Sequence, residues 1–262
     1  MVLAAGSRDR FEADDSMSRA GAPATHGSRG LTTHVVSQLG QAIVAGEIPI
    51  GSLLQPDAMS AEFAVSRTVV REALRVLQHK GLVAALPRAG TKVLENVEWN
   101  TLDPQVISWR STVDATRQGH ELMEMRRAIE PLAAALAARR ADDALRSRVS
   151  ESCRAMQRAL VAKDRDAFER ADVRFHDAVL VAAGNSMIAQ IAHVVAEALH
   201  LLHAQEASVD KLDPRALVFH AAVTEAVVAG DPERAHAAMI ALVGVAEARA
   251  GASKDVGAPP KQ

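Results

Sequence analysis

Residues 31–97 carry short apolar runs broken by turns, whereas over 98–250 apolar positions recur at helical spacing almost without interruption. That contrast predicts two architectures in one chain. In the first, a helix from about Thr32 to Ala45 ends at Gly46, and Pro49-Ile50-Gly51 turns the chain before Leu53. Met59, Phe63 and Val65 lie at spacings that bury one side of a short helix. Val70, Leu74 and Leu77 do the same for a second helix, which Ser66 is suited to cap. Leu82 to Leu86 and Thr91 to Val93 then form two strands around the turn Pro87-Arg88-Ala89-Gly90. This order of elements is a winged helix-turn-helix.

The second region predicts helices alone, near Asp103 to Thr112, Gly119 to Arg139, Asp142 to Ala162, Arg165 to Ala183, Ser186 to Gln205, Pro214 to Ala229 and Pro232 to Ala250. Caps mark its joints: Gly230 ends one helix and Asp231-Pro232-Glu233 starts the next, and Asn185-Ser186 after Gly184 marks another. Pro131 is expected to kink the helix that holds it. Residues 1–30 and 251–262 have no such periodicity and are expected to be disordered tails. The predicted fold class is mainly α, a winged helix-turn-helix over 31–97 followed by an all-helical bundle over 98–250. Trp99 and Trp109 flank the joining segment and are expected to pack it onto the bundle.

At 262 residues, 48% of them hydrophobic, the chain has apolar material for two cores. No apolar run approaches the roughly eighteen residues of a membrane span, and Ser7-Arg8-Asp9-Arg10 interrupts the first apolar residues before a signal core forms. Cys153, the only cysteine, has no partner for an internal disulfide. A cytoplasmic protein is expected. Charge is less direct, because the formal net charge is −2 and residues 31–97 hold six Lys and Arg against five Asp and Glu, a net of +1. Placement carries the signal instead: Arg67, Thr68 and Arg71 fall on the first turns of the second short helix, where they can meet base edges and phosphates in a major groove. A modest salt dependence of binding follows.

In the helical region Asp172 and His176 share a helix face at i, i+4, and His220 can add a third donor from another helix. Carboxylate oxygen with imidazole nitrogen suits zinc, nickel, manganese or iron. The same pair also suits a hydrogen bond or a solvated face. His193, His200 and His203 stand on a neighbouring helix, with His200 and His203 three residues apart, while His236 is expected to be exposed. Arg126 offers a guanidinium for a carboxylate, or an i, i+4 pair with Glu130; Arg127 points elsewhere. No H-E-x-x-H, nucleophile elbow or phosphate-binding glycine loop occurs, which argues against an enzyme. Two rivals stay open: a metal-dependent hydrolase or lyase, and a sensor for which the ion is itself the signal.

The turn, helix and wing resemble the GntR superfamily of bacterial transcription regulators. Its signature, G-x-x-P-G-x-x-L, then V-S-R-T-P-V-R-E-A-L, then G-L-V and a wing ending in G-x-x-V, has counterparts in Gly46 to Leu53, Val65 to Leu74, Gly81 to Val83 and Gly90 to Val93. Pro49 stands one place early, Gly51 follows Ile50, and Val69 replaces the usual proline. The resemblance implies that Ser66, Arg67, Thr68 and Arg71 contact DNA, and that Arg88 with Gly90 carries the wing into the minor groove.

The helical region resembles the FadR-type effector domain called FCD, in which D-x-x-F-H, a later E-H and a last-helix histidine bind a divalent metal. Asp172, His176 and His220 match; Phe219 replaces the acid before the third ligand, and Leu242 stands where the fourth belongs, with His200 or His203 on the neighbouring helix as a candidate substitute for it. The resemblance implies either a divalent ion, zinc foremost, or a polar cluster that holds the effector directly. An arginine in the E-x-R-x-x-x-E-P context approaches the effector in this family, which selects Arg126. The stretch from Glu98 to Trp109 is similar to the W-N-x-L-D-x-x-V-L-x-W linker of regulators answering to sugar acids, of galactonate-operon type, which also lack the last histidine. The implied protein is a homodimeric repressor on an inverted-repeat operator. Its effector would be an aldonate or 2-keto-3-deoxy sugar acid held by Asp172, His176, His220 and Arg126.

Overall fold

Helix α1 (Thr25–Val44) starts earlier than the periodicity from Thr32 predicts, so the end of the expected N-terminal tail is helical. The computed structural model describes residues 25–206 and 214–252; the rest of both expected tails lies outside them. After α1 come β1 (Leu53–Leu54), α2 (Pro56–Glu62), α3 (Arg67–His79), β2 (Val83–Leu86) and β3 (Gly90–Val93). The three strands form an antiparallel sheet in the order β1-β3-β2, with Val83 opposite Val93 and Leu53 opposite Lys92. Two residues give β1 no alternation to read, which is why the sequence predicts only β2 and β3. The displaced Pro49 and Gly51 also have a reason. Ser52 N–H donates to the Pro49 carbonyl at 3.1 Å, and Gly51 takes the left-handed third position of that turn at φ +84°.

Val35, Val36 and Leu39 of α1 meet Val70, Leu74 and Leu77 of α3 over Leu82 and Val93. Trp99 and Trp109 belong to this core, not to the bundle as expected. The cause is α4 (Pro104–Val113), which lays the Trp109 indole against Gly40; a Cβ there would fall 2.3 Å from the ring. Only glycine leaves room for the tryptophan. From its other side α4 sends Ile107 between Leu122, Val194 and Ala198. One short helix thereby joins both cores.

The bundle comprises α5 (Ala115–Arg140), α6 (Asp143–Ala162), α7 (Arg165–Ala182), α8 (Ser186–Gln190), α9 (Ala192–Glu206), α10 (Pro214–Ala229) and α11 (Pro232–Ala252). Asp103, Asp114, Asp142 and Asp164 cap α4 to α7, each accepting backbone N–H groups that the first turn leaves without partners. Helix α5 continues through Pro131. The single helix predicted from Ser186 to Gln205 is instead interrupted at Ile191, which resets the phase of the residues after it. Buried Ala133, Ala134 and Ala137 on α5 and Ala171, Ala178 and Ala182 on α7 allow close helix approach. Among the described residues no helix is long and apolar enough to cross a membrane.

Candidate nucleic-acid interface and metal centre

Helix α3 buries Val69, Val70, Ala73, Leu74 and Leu77 and turns Arg67, Thr68 and Arg71 outward. Ser66 caps it, accepting the Val69 N–H at 3.3 Å. Proline at that position would lack the donor, so the departure from the family pattern is compensated locally. Arg67 Nε lies 2.8 Å from Asp57 Oδ1 of α2, with both side chains about two-thirds exposed. A pair so solvated is worth at most about 1 kcal/mol and gives way readily to a phosphate or base. At the wing tip Ala89 N–H donates to the Leu86 carbonyl at 3.2 Å, and Arg88 takes φ +63°, a conformation that costs an L-residue about 1–2 kcal/mol. Gly90, at φ +103°, has a structural duty of its own: a Cβ there would fall 2.9 Å from Gln55 Nε2 and 3.1 Å from the Leu54 carbonyl.

The helical unit brings Asp172, His176 and His220 together, all buried, with their donor atoms within 4.8 Å of one another. His176 Nδ1 is 2.5 Å from Glu130 Oε2, and His220 Nδ1 is 2.7 Å from the Ala216 carbonyl. Both partners are acceptors, so each Nδ1 carries the proton and each Nε2 turns a lone pair inward. His220 Nε2 is 2.8 Å from Asp172 Oδ1, yet the contact lacks hydrogen-bond alignment, and both atoms are buried without a partner. His176 Nε2 stands 3.7 Å from the same oxygen. Three acceptors thus converge on one point. This donor set suits a cation, and the Nδ1 bonds to Glu130 and Ala216 have the form of the outer contacts that orient metal-binding imidazoles.

Arg126 is buried, with Nε 2.5 Å from Glu130 Oε1 and one terminal nitrogen 3.5 Å from His176 Nε2. Of the two sequence alternatives, the pair with Glu130 is the one seen, and the guanidinium also faces the cluster. Burial pushes the Glu130 carboxyl up, but Arg126 and His176 outweigh it and hold it at about 2. Asp172 is likewise held well below the usual carboxylate range, burial being outweighed by His203 and the other imidazoles. Glu130, read from the sequence only as a partner for Arg126, also braces His176, and His203, one of two histidines offered in place of the missing fourth ligand, pairs with Asp172. His203 Nε2 reaches Asp172 Oδ2 at 3.0 Å, whereas His200 and His236 are exposed and His193 Nε2 binds the Leu102 carbonyl at 3.0 Å. Leu242 is buried in the apolar core. Arg127 pairs with Glu247 at the surface.

Residues 31–93 match the family of bacterial regulatory proteins called gntR, and residues 121–244 match the FCD domain. The chain is similar to the galactonate operon transcriptional repressor of Escherichia coli, 30% identical over 215 residues that cover 81% of this chain and 93% of the relative. It is 29% identical to a probable D-xylose utilization operon transcriptional repressor of Paenarthrobacter nicotinovorans, covering 81% and 87%. Among solved structures, Lar, which controls expression of the Listeria monocytogenes agr system, shares the fold at TM-score 0.57 and 19% identity, covering 85% of this chain and 97% of that one. These relatives are regulators and not enzymes, as the absence of a catalytic motif predicts. With a DNA-reading head on one core and a buried polar cluster in the other, this chain belongs to the GntR family of bacterial transcription regulators and carries an FCD domain.

Proposed function

We propose that this regulator is a cytoplasmic homodimeric repressor that leaves an inverted-repeat operator when a sugar acid enters the FCD cluster. Two copies of α3 related by a two-fold axis would read the half-sites through Arg67, Thr68 and Arg71, with Ser66 at the helix start and Arg88 in the minor groove. Arg88 keeps a backbone conformation that glycine would hold more cheaply, which argues that its side chain has work outside the fold.

The convergence of Asp172 Oδ1, His176 Nε2 and His220 Nε2, the first and last of them buried without a hydrogen-bond donor, carries the rest of the proposal. These residues fit a divalent ion, zinc foremost, as three ligands with open positions. Such an ion would supply a Lewis-acidic anchor for an oxygen ligand. With neutral imidazoles the cluster sets one buried cation, Arg126, against two buried anions, Glu130 and Asp172. A divalent charge turns that imbalance positive by one, and a single carboxylate then cancels it. Arg126 stands beside His176 to receive that carboxylate. The unpartnered Nδ1 of His203 offers an acceptor to a hydroxyl. A hydroxylated monocarboxylate meets both conditions, and the sugar-related operons of the relatives supply the class.

Fluorescence anisotropy on the DNA upstream of the gene, against a scrambled duplex, tests this with galactonate, gluconate and their keto-deoxy products. Specific binding relieved by one of them is expected. Binding unchanged by all at millimolar concentration overturns the effector class, and relief by zinc alone favours a metal sensor.

A further inference from the structure

Resting on the metal reading above, we infer that His203 is a positioning residue of the centre: it holds the outer oxygen of Asp172 and leaves the inner oxygen to the ion. The family's fourth ligand position is Leu242, buried among apolar side chains with no donor atom to offer. Helix α9 brings His203 to Asp172 instead, with its side chain only 12% exposed.

Two imidazoles face the two oxygens of Asp172 at similar distances but in different ways. His203 Nε2 meets Oδ2 at 3.0 Å in hydrogen-bond alignment. Carboxylate oxygen only accepts, so this nitrogen carries the proton and has no lone pair for a metal. His220 Nε2 meets Oδ1 at 2.8 Å without alignment, its proton committed to Nδ1 and the Ala216 carbonyl. Its lone pair and the oxygen point toward a shared third position. The two oxygens therefore divide their duties, and His203 serves the one turned away from the ion. The end of α9 is itself held, since Arg165 donates to the His203 carbonyl at 3.2 Å while pairing with Glu169. Fixing a ligating carboxylate in this manner raises metal affinity without adding a ligand.

The test uses the full chain stripped with a chelator. Zinc affinity is measured by competition with a chromophoric chelator, cobalt(II) absorption reports the ligand set, and circular dichroism checks folding. One zinc per chain is expected. His203→Leu should weaken zinc roughly 10–100-fold while the cobalt bands keep their positions and intensities. His203→Gln, whose amide N–H can reach the same oxygen, should recover most of the loss. His176→Ala, which removes a direct ligand, should change the bands. Unchanged zinc affinity in folded His203→Leu overturns the role, as do cobalt bands altered like those of His176→Ala, which would make His203 a ligand. Should the leucine variant fail to fold, failure of the glutamine variant to bind zinc better than His176→Ala overturns it. If the native chain binds neither ion, the metal reading falls first and this role with it.

Discussion

The Lys80 ammonium lies 2.8 Å from both carboxylate oxygens of Asp103. Lys80 closes α3 and Asp103 caps α4, so the pair ties the end of the recognition helix to the start of the linker helix. It is mostly buried and sits 5.9 Å above the Trp109 ring, where solvent screens it little. The far end of this connection is His193 of α9 on the Leu102 carbonyl. A continuous chain of contacts therefore runs from Asp172 through α9 and the linker to the DNA-reading helix.

Breaking that tie should cost stability and misplace the head. Asp103→Asn keeps a good helix cap but leaves Lys80 facing a neutral amide, with an expected loss of about 1–3 kcal/mol. Urea unfolding of the two single variants, Lys80→Met and Asp103→Asn, and of the double variant measures the coupling. Additive losses would show that the two residues act independently.

At the wing tip, stability and DNA affinity should move in opposite directions. Arg88→Gly relieves the left-handed backbone and should leave thermal stability equal or raised, while operator affinity falls by roughly 1–3 kcal/mol. Retained affinity in an anisotropy titration would remove Arg88 from the interface.

Acid should expose the role of Glu130. Its carboxyl lies at about 2 against an ordinary 4.5, so its contribution to stability is complete above pH 4.5 and drains away between pH 4.5 and about 2. Glu130→Gln should cost about 3–5 kcal/mol at neutral pH by leaving Arg126 buried without its counter-charge. The gap between native and variant, followed by urea unfolding, should narrow as pH drops from 7 to 3. A constant gap would contradict the assignment.

Gly40 should be intolerant of even one methyl group. Gly40→Ala places a Cβ 2.3 Å from the Trp109 ring and should cost about 1–3 kcal/mol. Adding Trp109→Leu should recover part of that loss relative to Trp109→Leu alone. A harmless alanine would mean that the α1 and α4 contact is slack.

What the sequence determines by itself is local. Apolar period, caps and turn residues predict most helices, the β2 and β3 hairpin of the wing and the reading helix, because each is decided by neighbours within a few positions. The spacing of Asp172 and His176 is equally local, and so is the chance of an Arg126 and Glu130 pair. The tertiary structure alone decides which of these residues become partners. Of the two histidines that spacing offers on α9, packing sets His203 on Asp172 and leaves His200 exposed. Burial turns Glu130 from a surface acid into the brace of His176. Packing of Trp109 against Gly40 assigns the linker tryptophans to the reading head. Periodicity says which face of a helix is apolar, but not which helix will cover it.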